Sequence, residues 1–151
     1  MSTDRIEKQI ELRAPVARVW RALADHREFG AWFQVEMEGP FAPGRTTRGH
    51  VTVAGYEHLT FEMIVEEMVP ERLFRYRWHP AAIDPKVDYS REPTTLVELA
   101  LEKTAAGTRL SVTESGFDAL PPERRADAFR LNDGGWSEQM GNIERYLRDA
   151  A

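Results

Sequence analysis

The sequence contains no cysteine, which removes several kinds of site at once. Disulfides, thiolate nucleophiles, zinc–thiolate sites and iron–sulfur clusters all require that side chain. We therefore expect a fold held together by its hydrophobic core, and a reducing, cytoplasmic location fits. The chain has 151 residues, 42% of them hydrophobic, which is enough for one compact domain over 1–151.

Long apolar runs and an excess of positive charge are also missing. No stretch reaches the length of a membrane span, and the first residues carry charges where a signal peptide would have an apolar run. The 20 Lys and Arg residues are scattered and outnumbered by 25 Asp and Glu, for a net charge of −5. We expect no membrane span and no nucleic-acid partner.

Common catalytic and cofactor motifs are absent as well. The sequence has no glycine-rich phosphate loop and no nucleophile elbow. Its four histidines, which show no metal-ligand spacing, are His26, His50, His58 and His79. We therefore expect no cofactor and no metal site.

What is present begins with a strand and two helices. Alternating apolar residues over 6–12 predict a half-buried strand, which Pro15 ends. Apolar residues three and four apart over 16–23 predict a helix, and Asp25 is placed to cap a second, shorter one.

From residue 47 the apolar period changes to two, which is typical of strands. The predicted strands, joined as an antiparallel meander, cover 47–53, 59–65, 74–78, 97–101 and 110–114. Arg75, Arg77 and His79 form a basic row on the outer face, where we expect glutamates of neighbouring strands as partners. The segment 80–93 has no apolar period, and we expect it to be a mobile loop or a lid.

The last predicted element is a long amphipathic helix that starts at Pro121 and Pro122. Its apolar stripe comprises Ala126, Phe129, Trp136, Met140, Ile143 and Leu147. Only this helix is long enough to cover the apolar face of the meander, so the sequence predicts an α+β fold with a space between helix and sheet. Gly134 and Gly135 each cost the helix about 1 kcal/mol relative to Ala. We expect a close backbone neighbour or a bend there.

Three strings now point to a family: APVARVWRAL at 14–23, VPERL at 69–73 running into Trp78, and Gly135–Trp136. They resemble the START-like (SRPBCC) superfamily, and most of all the family of activator of heat-shock-protein-90 ATPase homologues, over residues 6–147. The resemblance implies a helix-grip fold, in which a curved antiparallel sheet wraps around a long C-terminal helix and two short helices follow strand 1. It also implies a deep cavity, with a small hydrophobic or amphipathic molecule, or a chaperone, as partner.

The side chains that we expect around this cavity are mostly aromatic. They are Trp20, Phe33, Phe61, Tyr76, Trp78, Glu114, Asn132, Asp133, Trp136 and Met140. Core packing is the alternative role for the aromatic ones. Glu114 shares strand parity with Leu110 and Val112, so its carboxylate should point into the apolar interior, where it needs a partner. Asn132 or Asp133 interrupts the apolar stripe of the helix.

Three functions fit these residues. The first is a binding domain for a small, mostly apolar molecule. The second is an enzyme similar to cyclases or hydratases of the superfamily, with Glu114 or Asp133 as acid or base. The third is a stress-related co-chaperone; the eukaryotic co-chaperones of the family resemble this chain only over their C-terminal half.

Overall fold

The computed structural model describes residues 4–82 and 86–149, and within these ranges it contains seven strands and three α-helices. The strands are β1 (Arg5–Leu12), β2 (Val35–Met37), β3 (Thr46–Val51), β4 (Thr60–Val69), β5 (Leu73–Trp78), β6 (Thr95–Thr104) and β7 (Gly107–Ser115). The helices are α1 (Val16–Ala24), α2 (His26–Phe33) and α3 (Pro122–Asp149). Single 3₁₀ turns at Tyr89–Arg91 and Phe117–Ala119 precede β6 and α3.

All seven strands form one antiparallel sheet, in the order β1-β7-β6-β5-β4-β3-β2. Helix α3 crosses its inner face, packing on β1 and α2 and hydrogen-bonding to β7. The predicted α+β helix-grip fold, with two short helices after strand 1, is confirmed.

The two short helices form where their sequence signals place them. Helix α1 begins directly after Pro15 and buries its apolar face against the core. Asp25 caps α2, because its carboxylate accepts the backbone N–H groups of Arg27 and Glu28 at 2.9 and 3.1 Å. Helix α2 ends at Gln34, whose left-handed φ of 67° turns the chain into β2.

The central strands alternate between a buried and a solvated face. The buried residues of β6 and β7 are Thr95, Val97, Leu99, Leu101, Thr108, Leu110, Val112 and Glu114. On the outer face Arg75 lies 3.2 Å from Glu98, and Arg77 lies 2.7 Å from Glu66. The predicted pairing of the basic row with cross-strand glutamates is confirmed for these two arginines.

Strand β2 was not predicted, because three residues directly after a helix carry almost no periodic signal. It lies at the sheet edge beside β3. Two glycines let its backbone pass closely: a Cβ at Gly30 would lie 2.2 Å from the Val35 carbonyl oxygen, and one at Gly49 would lie 2.4 Å from the Glu36 carbonyl oxygen. Any larger residue at either position would displace β2.

The expected close neighbour at Gly134 and Gly135 is wrong. A Cβ built on either glycine meets no atom within 4 Å among the described residues. Helical hydrogen bonding continues through both positions, so α3 is unbroken. The two glycines leave open space beside the helix.

The segment 80–93, expected to be a mobile loop or a lid, contacts α3 at its two ends, while residues 83–85 lie outside the described residues. Arg124 of α3 binds both ends. Its guanidinium lies 2.8 Å from the Glu92 carboxylate, donates to the Pro80 carbonyl oxygen at 3.0 Å, and lies 4.7 Å from the centre of the Tyr89 ring. Both flanks of the segment therefore contact the start of α3.

Candidate functional site: a buried carboxylate beside a cavity

Glu114 lies at the centre of a hydrogen-bond cluster between the sheet and α3. Its side chain is fully buried and accepts five hydrogen bonds from four residues. The indole N–H groups of Trp78 and Trp136 donate at 2.7 and 2.8 Å, and the Thr95 hydroxyl donates at 2.5 Å. The Asn132 amide donates to both carboxylate oxygens, at 2.9 and 3.0 Å. The prediction that Glu114 points inward is confirmed.

All four donors are electrically neutral, and among the described residues no Lys or Arg forms an ion pair with Glu114. A carboxylate offers about four acceptor positions, so this set uses all of them. A general acid or base must approach the substrate atom to about 2.6–3.2 Å. Because both oxygens of Glu114 are buried and occupied, the arrangement suits holding the two indoles and α3 in place better than transferring a proton.

Tyr76 lies on β5, close to this cluster but outside it. Burial, and then the negative charge of Glu114, raise the pKa of Tyr76 well above its ordinary value. Its hydroxyl has no hydrogen-bond partner among the described residues. Tyr76 therefore belongs to the apolar core, where its ring contacts those of Phe74 and Trp78.

A cavity of about 380 Å³ opens between α3 and the sheet, and Trp78 and Asn132 belong both to it and to the Glu114 cluster. Its apolar wall consists of Phe33, Val35, Val51, Val53, Leu59, Phe61, Trp78, Ala81, Ala82 and Tyr89. Its polar residues are Gln34, Thr60, Glu62, His79, Asn132, Glu138, Gln139 and Asn142, with Gly135 between them on α3. The volume lies in the range of small-molecule sites, about 300–1,000 Å³.

The residues predicted around the cavity fall into three groups. Phe33, Phe61, Trp78 and Asn132 line it. Glu114, Tyr76, Trp136 and Met140 are buried in the layer behind it. Trp20 and Asp133 do not line it and lie elsewhere among the described residues. Trp20 is on α1, which packs against α2, β6, β7 and α3 away from the opening, and it joins the core there.

Asp133 faces β1 instead of the cavity. Its carboxylate lies 3.1 Å from the Lys8 ammonium group, and its side chain is 46% exposed. Lys8 is the single residue that breaks the apolar alternation of β1. The two irregular positions are therefore partners.

The sequence did not indicate most of the polar wall. Thr95 could have been found, because it shares the buried parity of Val97 and Leu99. Gln139 and Asn142 look like solvent-facing helix residues in the sequence. In the structure Gln139 donates to the Phe33 carbonyl oxygen at 3.1 Å and accepts from the Asn142 amide at 3.0 Å. The first bond joins the end of α2 to α3, and the second orients the Gln139 carboxamide within α3.

A second concavity, of about 560 Å³, lies at the start of α1. Its lining comes from residues 13–17, Glu71 and the β6–β7 turn at residues 103–107, which are exposed or half-buried. It is a surface depression without a buried polar group. In residues 4–82 and 86–149 no group of three or more His, Asp or Glu side chains could hold a metal ion, and no helix is long and apolar enough to cross a bilayer.

Comparison with known proteins identifies the family. Among curated proteins none matches the chain. The family model described as Activator of Hsp90 ATPase homolog 1-like protein matches residues 13–148. The chain belongs to this family. The match covers β5, β6, β7 and α3, so every residue of the Glu114 cluster lies inside the Activator of Hsp90 ATPase homolog 1-like region.

Solved structures similar to this Activator of Hsp90 ATPase homolog 1-like chain share its fold over nearly the full length. Protein MLL2253 from Mesorhizobium loti is 21% identical, with a TM-score of 0.76 over 97% of this chain and 98% of the other. The Aha1 dimer from Colwellia psychrerythraea is 15% identical, with a TM-score of 0.69 over 93% and 92%. DynU16, a protein in the dynemicin biosynthetic locus, is 26% identical with a TM-score of 0.74; the match covers 96% of this chain and 47% of DynU16.

Proposed function

We propose that this protein binds a small amphipathic molecule in the cavity between the sheet and α3. One observation carries the proposal: an open space of about 380 Å³ has an aromatic and aliphatic wall on the sheet side and carboxamides on the helix side. An apolar body would gain about 25 cal/mol for each Å² of apolar surface it buries there. A few fixed polar groups would orient it.

The rigidity of the apolar wall supports this proposal. Trp78 is held through its indole N–H on Glu114, and its ring packs at 5.7 and 6.0 Å from those of Phe61 and Phe33. A wall that is already ordered loses little conformational entropy when a ligand arrives. DynU16, whose description places it in a biosynthetic locus, agrees with a role in handling small molecules.

The two adjacent glycines of α3 provide the test. Gly135 lines the cavity and Gly134 does not, and a Cβ at either position meets no atom within 4 Å among the described residues. Gly135→Leu should fill the cavity and weaken binding of the neutral fluorescent probe N-phenyl-1-naphthylamine by about tenfold or more. Gly134→Leu should leave that binding unchanged, and both should stabilise α3 by up to about 1 kcal/mol.

Titration of the probe into the wild type and the two variants, followed by fluorescence, gives the three affinities. Thermal unfolding of the same samples shows that both variants are folded. Equal weakening in the two variants, or no probe binding to the folded wild type, would contradict a ligand site at this place.

Family membership favours a second candidate, in which the chain stimulates the ATPase of the heat-shock protein named in the family description. This role would use a protein surface and would not need the cavity. An ATPase assay of that chaperone with increasing amounts of the chain tests it. If Gly135→Leu abolished probe binding but kept full stimulation, the two roles would be separate.

A further inference from the structure

The cavity lining carries negative charge. Among the described residues that line it there is no Lys or Arg, while Glu62 and Glu138 each contribute a carboxylate. Glu62 lies 2.6 Å from Arg48, so its charge is balanced. Glu138 is exposed on α3 and makes no ion pair with a described residue. One uncompensated negative charge therefore remains at the cavity.

The hydrogen-bonding groups of the lining also favour a positively charged ligand, because their donors are partly used by the protein itself. A carboxylate only accepts hydrogen bonds, so the side of the Asn132 amide that faces Glu114 must be its NH₂ group. The Asn132 carbonyl oxygen, an acceptor, points away from this contact and can receive a donor from a ligand. Trp78 has likewise given its N–H to Glu114 and has only its ring left.

The remaining groups add acceptors or can serve as either. Gln139 donates to the Phe33 carbonyl oxygen and accepts from the Asn142 amide, so both ends of its carboxamide are engaged. His79 Nε2 lies 3.1 Å from the Glu92 carbonyl oxygen, so in the neutral ring Nε2 carries the proton and Nδ1 accepts. Gln34 and Thr60 can donate or accept. The lining therefore presents oxygen acceptors, aromatic rings, one carboxylate without an ion pair to a described residue, and two groups, Gln34 and Thr60, that can act in either sense.

We propose that the cavity selects an amphipathic amine: an apolar or aromatic body that carries a protonated amino group. This inference rests on the proposed function and specifies its ligand class. The ammonium group would donate to the Asn132 carbonyl oxygen or the Glu138 carboxylate, and cations are attracted to aromatic faces such as those of Trp78, Phe33 and Phe61. A ligand with a carboxylate or phosphate group would be repelled by the negative charge of Glu138. Its oxygens would also meet the Asn132 carbonyl oxygen, which cannot donate a hydrogen bond to them.

Three probes with one ring system and different head groups test this selection on the full chain. They are 1-naphthylmethylamine, 1-naphthalenemethanol and 1-naphthaleneacetic acid. At pH 7 they are cationic, neutral and anionic, respectively. Isothermal titration should give the order amine, alcohol, carboxylate, with about tenfold or more between the first and the last. If the alcohol binds but the amine binds no tighter than the carboxylate, the selection is overturned and the proposed function survives. If none of the three binds, both are overturned.

Glu138→Gln identifies the source of the selection, and Glu144→Gln is its matched control. Both residues are exposed on α3, but only Glu138 lines the cavity. Glu138→Gln should weaken binding of the amine about three- to tenfold and leave the alcohol unchanged, since an exposed charge pair contributes modestly. Glu144→Gln should change neither affinity. An unchanged amine affinity in Glu138→Gln, or an equal loss in Glu144→Gln, would remove Glu138 from the proposal.

Discussion

Two carboxylates tie α3 to the rest of the molecule in opposite ways. Glu114 is fully buried and is held by neutral donors alone. Glu28 keeps 19% of its side chain exposed and is held by two guanidinium groups, those of Arg18 and Arg21, both at 2.8 Å, and by the Tyr146 hydroxyl at 2.7 Å. One cluster links two sheet strands and β7 to α3, and the other links α1 and α2 to α3.

The difference between the two clusters shows how the fold can hold the buried charge of Glu114 next to the cavity. At Glu28 the charge is balanced by cations near water, so each single contact is replaceable. At Glu114 the charge is spread over four oriented dipoles in the buried interior, where an unpaired polar group is costly. The second arrangement needs no cation, and it leaves the neighbouring space free of positive charge.

The largest expected effect is that of Glu114→Gln. The new amide NH₂ would replace one carboxylate oxygen and so face one indole N–H, that of Trp78 or that of Trp136, as well as the Asn132 NH₂, none of which can accept. Each unsatisfied buried donor costs about 1–3 kcal/mol. We expect a loss of about 3 kcal/mol or more in the free energy of unfolding, measured with urea at pH 7. Thr95→Val removes one donor and keeps the carboxylate, so it should cost less, about 1 kcal/mol. A loss below about 0.5 kcal/mol for Glu114→Gln would mean that the cluster is not essential to the fold.

An intermediate and pH-dependent effect is expected for Glu28→Gln. Burial acts to raise the pKa of Glu28, but hydrogen bonds from Tyr146 and Arg18 and the positive charge of Arg18 outweigh it, so this pKa lies below its ordinary value. Stability from a lowered carboxyl pKa is present above the pKa of the unfolded chain, about 4.3, and is lost as the pH falls through the folded value. We expect Glu28→Gln to cost about 1–2 kcal/mol at pH 7.

Urea unfolding at pH 7, 5 and 3.5 checks the Glu28 prediction. The difference between wild type and Glu28→Gln should be nearly constant from pH 7 to 5 and should shrink below about pH 4. A difference that stays constant down to pH 3.5 would contradict a role for the ionised carboxylate.

The smallest effect is expected where both partners are near water. Arg77 and Glu66 lie 2.7 Å apart on the outer sheet face, with about two-fifths of each side chain exposed. Arg77→Gln should cost about 0–1 kcal/mol, and 1 M NaCl should reduce that cost further. If Arg77→Gln lowered the free energy of unfolding as much as Glu28→Gln, the exposure of a charged cluster would not determine how much it stabilises the fold.

Local patterns were enough to predict the architecture. Strand parity placed Glu114 inside, and the apolar stripe placed α3 across the sheet, because both depend only on periods of two and 3.6 residues. Helix phase could not separate Asn132 from Asp133, since adjacent residues lie about 100° apart and both border the stripe. The Lys8 position carried the missing information: a cation on the apolar parity of β1 needed an acid, and Asp133 supplies it.

The cavity lining was less predictable, because it depends on the register between strands and on the depth at which α3 sits. No local pattern brings Trp78, Thr95 and Asn132 to one carboxylate from three separate elements. Glu138 and Asn142 lie on the polar side of the helix in sequence, and only the gap beside Gly135 turns that side into a wall. Tertiary packing decides such positions.

The pairing of the first strand with the last has a consequence for how the molecule is made. Arg5 of β1 pairs with Ser115 of β7, so most of the chain must be synthesised before β1 finds its partner. Proteins rich in such distant pairings fold slowly, in milliseconds to seconds. A nascent chain that stops before β7 leaves the backbone edge of β1 unpaired, and the ligand space takes shape only when the final helix arrives.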